Sequence, residues 1–483
     1  MFEPVIAPSG TLLGLLQRGR GDGTLHALAA PRAEALAALN HCVLHDPRQD
    51  WQVENRSLYY ARLYLDLDGP LTDIEAHLLG PDDLVDEEEG RTGLALSVLG
   101  HLASYGRDDA LMLLRRYAAV GANWAWALDE LALRDDDEGL RGLAAAVLDR
   151  FPADPEGEAR LAAAVRDAYE PRPWFLWEEL PEFGDRLRAA RQQGSFDRWQ
   201  RQLTPSGPRP GWGVAAVFAW AEDGLRRGTP LHVPAARCLA AVATPEDRAE
   251  IFAAAAGAAG EAARATALHH LVLAEPENPA VLDLIEAASV GAGEAGGAGE
   301  AGDEAAVAAV AAYERMCGPG AVARARVWVH SHRQDALGTA AASLLAGRGG
   351  PEDAPLVLAA LRDTVRTAGP DATALFALVD GAGRLSVACA APVLRHVYRE
   401  TSSSHLRGRA ASALARTDPT FAAGFAVECL WDCEETTREL AARHAETADA
   451  RVTPRLRRLA SDPAEEEDVQ SAVRSRIAPE SAV

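Results

Sequence analysis

Apolar residues recur at helical spacing along most of this chain. Leu140, Leu143, Ala144, Val147, Leu148 and Phe151 stand at offsets 0, 3, 4, 7, 8 and 11, one face of a helix. Pro152 ends that run. Asp154 and Pro155 then form an N-cap and first-turn proline, and Leu161, Val165, Ala168 and Tyr169 resume the pattern. Leu94, Val98, Leu99 and Leu102 make a further stripe, and Gly121 followed by Asn123 reads as a helix stop and a new cap. Thr244-Pro245-Glu246-Asp247 is a compact start signal ahead of Ile251 and Phe252. No convincing period-two alternation occurs, so the pattern predicts helices of ordinary length joined by short loops and no sheet.

The last third of the chain repeats. Small and apolar blocks fall at 340–344, 374–378, 410–414 and 441–445, with steps of 34, 36 and 31 residues. A second predicted helix follows each block and closes on an acid: Leu361 with Asp363, Tyr398 with Glu400, Leu430 with Asp432, Leu459 with Asp462. Two helices per period of this length predict an all-α solenoid, in which each pair buries its apolar face only against its neighbours.

The string from Leu430 through Trp431, Asp432 and Arg438 to Ala441 resembles the HEAT-repeat (armadillo-like) pattern, including the short repeats also found in phycobilin lyases. That resemblance implies a ladder between an acid at the inter-repeat turn and an arginine opening the next helix. Arg407 with Ala410, and Arg438 with Ala441, fit its arginine-x-x-alanine part; Glu400 precedes Arg407 by seven residues, and Asp432 precedes Arg438 by six. The likeness covers 335–483 and extends to 53–290. It implies a fold that can divide into two halves, without implying an activity.

Two stretches depart from the pattern. Residues 291–303 (GAGEAGGAGEAGD) are expected to form a flexible Gly/Ala/Glu linker. The tract 171–225 gathers Trp174, Trp177, Trp199 and Trp212 among several prolines, in a chain that is only 6% aromatic. It reads either as an irregular insert whose rings fill a gap in the stack, or as a ring-rich binding surface. The expected organisation is therefore helical repeats over 1–170, the insert over 171–225, repeats over 226–290, the linker, and HEAT-like repeats over 304–483.

Composition narrows the function. All 48 basic residues are arginine, consistent with the codon bias of a GC-rich, actinomycete-like genome. Without lysine there is no phosphate-loop lysine, no Schiff base to pyridoxal phosphate and no lysine nucleophile. A net charge of −23 opposes a phosphate-binding surface and fits solubility. No secretory pattern opens the chain, no membrane-length apolar run occurs, and the six scattered cysteines predict free thiols in a reducing cytoplasm.

Local motifs give way to simpler readings. Leu65-Asp66-Leu67-Asp68-Gly69-Pro70-Leu71-Thr72-Asp73 resembles the first motif of haloacid-dehalogenase-type phosphatases. However, proline replaces that motif's threonine, and the strand it requires over 59–64 has no partners downstream, so the tract reads as an inter-helix turn. The same tract lacks the spaced glutamate of a calcium loop. His330 with His332, and Cys429 with Cys433 and His444, lack the second short-spaced pair of a zinc site. His41, Cys42, His45 and Asp46 are sequence neighbours on one helix and form no triad. Acidic runs at 82–89, 135–138 and 465–468 are solvated loops or first turns. Arg315, Arg324, Arg326 and Arg333 around Trp328 form the one cluster suited to a phosphate-bearing partner.

These readings converge on a non-enzymatic scaffold that binds a protein or peptide partner through a helical-repeat surface, with no cofactor and no metal. Trp174, Trp177, Trp199, Trp212, Tyr105, Arg107, Trp124 and Trp126 are its candidate contact residues. The last four belong to a string that also holds His101, Tyr117, Asn123 and Asp129, either lining a groove or packing as core. The alternative is an enzyme resembling the HEAT-like-repeat DNA-base glycosylases, for which Trp124, Trp126 and Asp129 are the nearest candidates and the charge is unfavourable.

Overall fold

A computed structural model describes residues 6–48, 53–81, 84–85, 88–202, 208, 210–276, 278–289, 304–331, 333 and 335–477. Among them the chain is all-helical, with 29 α-helices and no strand. The linker at 291–303 lies outside the described residues. No helix among those described is long and apolar enough to cross a membrane.

The predicted stripes are buried. Leu94, Val98, Leu99 and Leu102 lie inside the Glu89–Ser104 helix with almost no exposure. The 140–151 stripe is buried throughout, but as two short helices, Asp137–Gly142 and Ala144–Leu148. Leu143 keeps helical backbone angles between them while its N–H bonds Leu140 O, three residues back, so one turn is tightened. Asp154 caps the Pro155–Asp167 helix through Gly157 N at 2.8 Å. Tyr169 departs from its expected place on that helix's apolar face. Pro171 disfavours helical backbone at Glu170, the helix stops at Asp167, and Tyr169 is 80% exposed.

The tract 171–225 is helical in the main, with Arg172–Glu178, Gly184–Gln202 and Val214–Arg226. Pro173 sits in the first turn of its helix, where the missing N–H would have had no intrahelical partner.

The chain divides into two compact units: residues 1–203, 398–411 and 419–483, and residues 204–397 and 412–418. In the second unit, Glu261–Ala274, Glu304–Glu314, Ala336–Arg348 and Leu375–Arg384 each pack on the next, forming one row. Pro279–Ser289, Pro319–His330 and Ala354–Ala368 do the same in a second row, and the chain alternates between rows. Arg326 joins one pair to the next through Asp353 at 2.7 Å.

The first unit shows the same alternation among Ser57–Asp66, Glu89–Ser104, Asp108–Val120 and Trp124–Arg134. It also brings its first helices against its last. Gly21–Ala29 packs on Phe425–Cys429, and Cys433 N donates to Gly19 O at 2.9 Å. Two glycines permit this approach. Gly19 has φ +67°, and a Cβ on Gly21 would stand 1.8 Å from Glu428 O. Arg20 donates to Arg399 O at 2.7 Å, Arg56 to Ser402 O at 2.8 Å, and Ser404 N to Glu54 at 2.7 Å.

Buried ion pairs continue this seam. Arg407 holds both oxygens of Asp432 at 2.8 and 2.9 Å, with neither side chain exposed. Arg438 and Arg62 converge on Glu465, and Arg62 also reaches Asp462. Arg407 and Arg438 each pair with an acid that follows the next helix, whereas Arg62 reaches acids much later in the chain. Arg438 meets the preceding Asp432 only through its backbone carbonyl, at 2.9 Å.

Candidate functional site

In the Trp124–Arg134 helix, Ala127, Leu128, Leu131 and Ala132 face the core. The positions between them, Trp126, Asp129, Glu130 and Leu133, have offsets 0, 3, 4 and 7 and share the opposite face. With Ser97, Asn55 and Tyr169 they line a cleft of about 520 Å³. Ser97 comes from the Glu89–Ser104 helix, Asn55 from the segment before Ser57, and Tyr169 from the turn that Pro171 sets up.

Hydrogen bonds fix one wall. The Trp126 indole Nε1 donates to Ser97 Oγ at 3.1 Å, and Ser97 Oγ donates to Glu130 Oε1 at 3.1 Å. Arg134 pairs with Glu130 at 2.6 Å and is itself tied to Ser104 Oγ at 2.8 Å. Gly100 leaves room for that carboxylate, since a Cβ there would lie 2.1 Å from Glu130 Oε2. Burial pushes the Glu130 carboxyl up, with Arg134, Ser97 and Trp126 pulling against it.

Asp129 is different. It accepts the Glu170 N–H at 3.1 Å, and among the described residues no arginine pairs with it. Burial raises its carboxyl to about 6, the Glu170 N–H opposes the rise, and the Glu170 charge adds to it. At neutral pH it is an ionised carboxylate in the same cleft as the Trp126 indole, and none of the described lining residues is basic. The rim is apolar: Leu133 is 59% and Tyr169 80% exposed.

Of the residues singled out by sequence, Trp126 and Asp129 line this cleft. Trp174 and Trp177 are core, with Trp177 fully buried and its Nε1 donating to Leu140 O at 2.8 Å. Their burial favours the gap-filling reading of these two rings. Trp124 is half-buried, edge-on to Trp174 at 6.3 Å and to Phe151 at 5.8 Å. Tyr105 donates to Asp462 at 2.7 Å, and Arg107 reaches Asp109 and Gly69 O. Trp212, in the second unit, is half-buried against Trp220 at 5.4 Å. Trp199 falls in the Gly184–Gln202 helix, on a stretch whose side chains lie outside the description.

The remaining motifs resolve structurally. Asp66 ends the Ser57–Asp66 helix and pairs with Arg458 at 2.6 Å; Asp68 takes left-handed backbone at φ +46°. Cys42 is buried, which pushes its thiol up, and burial raises the Cys433 thiol to about 12. No group of three or more His, Cys, Asp or Glu suited to a metal occurs among the described residues. In the basic cluster, Arg324 meets Asp283 and Glu286, Arg326 meets Glu352 and Asp353, Arg333 meets Glu286 and Asp335, and Arg315 meets His269.

Asn55, Ser97, Glu130 and Leu133 were not anticipated. The 126/129/130/133 face carried a signal, a polar and aromatic stripe opposite a clean apolar one, whereas Asn55 and Ser97 arrive from other helices through tertiary packing. Comparison with known proteins returns no match: no family model, no curated protein and no solved structure corresponds to this chain.

Proposed function

We propose that the chain is an α-solenoid of HEAT-like helical pairs acting as a non-enzymatic scaffold, and that the Trp126 cleft holds a protein or peptide partner. The two-row alternation and the arginine-to-acid links between successive pairs support the architecture. The observation that carries the function is the composition of the cleft. An indole wall and a tyrosine and a leucine exposed at the rim surround a polar floor, the arrangement of an interface anchor pocket.

Trp126 and Asp129 do share one cleft, as the glycosylase alternative requires. Its lining offers no cation to a nucleic-acid backbone, because the neighbouring Arg134 is paired with Glu130. The protein-partner reading is therefore the better supported. Affinity capture with the intact chain, compared with a Leu133→Asp/Tyr169→Ala variant, tests it. A partner retained by the intact chain and lost by the variant supports the reading. Unchanged retention by the variant contradicts it, as would release of an alkylated base from DNA.

A further inference from the structure

Where the first helices of the chain meet its C-terminal helices, one carboxyl group is left over. Gly19 O accepts the Cys433 N–H at 2.9 Å, Arg20 donates to Arg399 O at 2.7 Å, and a Cβ on Gly21 would stand 1.8 Å from Glu428 O. The Glu428 side chain faces Asp22 and Arg20 across this contact, and its Oε1 is enclosed and bonds nothing among the described residues. Three arginines bear on it, and each is engaged elsewhere. Arg20 gives Nε and Nη2 to Asp22 and Nη1 to Arg399 O. Arg451 holds both oxygens of Asp449 at 3.0 and 2.7 Å, and Arg399 stands 5.3 Å from the Phe425 ring centre.

We propose that this junction is a proton-operated clasp: protonated Glu428 lets the Gly21–Ala29 helix rest on Phe425–Cys429, and loss of that proton loosens the contact. Two carboxyl groups face one guanidinium here, and Asp22 has it. An enclosed carboxylate oxygen with neither a cation nor a donor is costly, and an acid escapes that cost by keeping its proton. Once ionised, Oε1 gains water only if the two helices part. Burial and then the Asp22 charge raise the Glu428 carboxyl to about 7, with Arg20, the Tyr398 hydroxyl and Arg399 pulling against them. Cys429, next in the chain, and Arg451 are the other described groups that bear on it. The closed contact therefore favours the protonated acid. Its contribution is present in acid and is lost as pH climbs from the ordinary carboxylate range through 7.

Hydrogen–deuterium exchange on the full chain at pH 6, 7 and 8, corrected for the pH dependence of intrinsic exchange, tests this on peptides covering residues 12–29. Protection there is expected to fall about tenfold from pH 6 to pH 8, the change imposed by one carboxyl whose pKa is about 7 in the closed contact and ordinary in the open one. Peptides from the Glu89–Ser104 helix, in the same unit, should keep their protection. Glu428→Gln keeps the side chain's shape and cannot ionise, so its protection over 12–29 should stay at the pH 6 level up to pH 8. Asp22→Asn keeps the proposal testable if that variant does not fold. It removes the facing charge and frees Arg20 for Glu428, so the loss between pH 6 and pH 8 should shrink. Protection over 12–29 that ignores pH, or a fall that persists undiminished in Glu428→Gln or in Asp22→Asn, would overturn the proposal. An equal fall across the Glu89–Ser104 helix would overturn it too, because the loss would then belong to the whole unit and not to the clasp.

Discussion

The Arg407–Asp432 seam and the Trp126 cleft both set a carboxylate among arginines and rings, with opposite outcomes. At the seam the carboxylate is wholly enclosed and both its oxygens are taken by Arg407. In the cleft, Glu130 has an arginine and Asp129, one residue before it, has none among the described residues. A paired buried carboxylate constrains the fold. An unpaired one at the floor of an open cleft is left for something else to satisfy.

Breaking the seam should have the largest effect. Arg407→Ala leaves Asp432 charged, buried and unpaired, and should cost about 3–5 kcal/mol in urea denaturation. Replacing both partners together, Arg407→Met with Asp432→Leu, should recover much of that loss, because the stranded charge disappears. Trp177→Ala belongs in the same range, about 3–5 kcal/mol, from a large cavity and the loss of the indole N–H bond to Leu140 O. If it were instead neutral for stability, the assignment of this ring to the core would fail.

Gly21→Ala should follow at about 1–3 kcal/mol, since its Cβ has no room beside the Glu428 carbonyl. The same substitution at Gly142, where a Cβ meets nothing within 4 Å, should be neutral or slightly stabilising.

The two regions should also answer pH in opposite senses. Burial raises Asp462 and Glu465, but Arg62, Arg438 and their hydrogen bonds outweigh it and hold both below the ordinary range. Their contribution is present above the unfolded carboxylate pKa and is lost as pH falls through the folded value. Asp129 is raised to about 6, so the folded state favours its protonated form. Its contribution is favourable in acid and declines as pH climbs from the ordinary carboxylate range through 6. Asp129→Asn should therefore stabilise the chain slightly at pH 7 and do nothing at pH 4. Glu170, from the following turn, and Glu130, which is paired with Arg134 on the same helix, are the described charges that bear on that carboxyl.

Sequence pattern revealed the helices because burial follows the 3.6-residue period wherever a helix faces a neighbour, as Leu94 through Leu102 show. It misplaced Tyr169, because one proline two residues later outweighs a continued apolar stripe. Tryptophan density pointed to Trp174 and Trp177, whose rings fill core space, while the cleft uses the less conspicuous Trp126. Composition alone does not separate a ring that packs from a ring that binds. The neighbours decide, and Ser97 and Asn55 come from helices that only tertiary structure brings together. The arginine links Arg407–Asp432 and Arg438–Glu465 were visible as residue types, but their direction was not, because pairing to a later acid depends on how successive helices pack.

The most direct test measures stability and partner retention of Asp129→Asn side by side at pH 7. This account predicts a chain at least as stable as the unaltered one that no longer retains its partner. A destabilised chain that retains the partner fully would place Asp129 among the carboxylates that build the fold, and would contradict it.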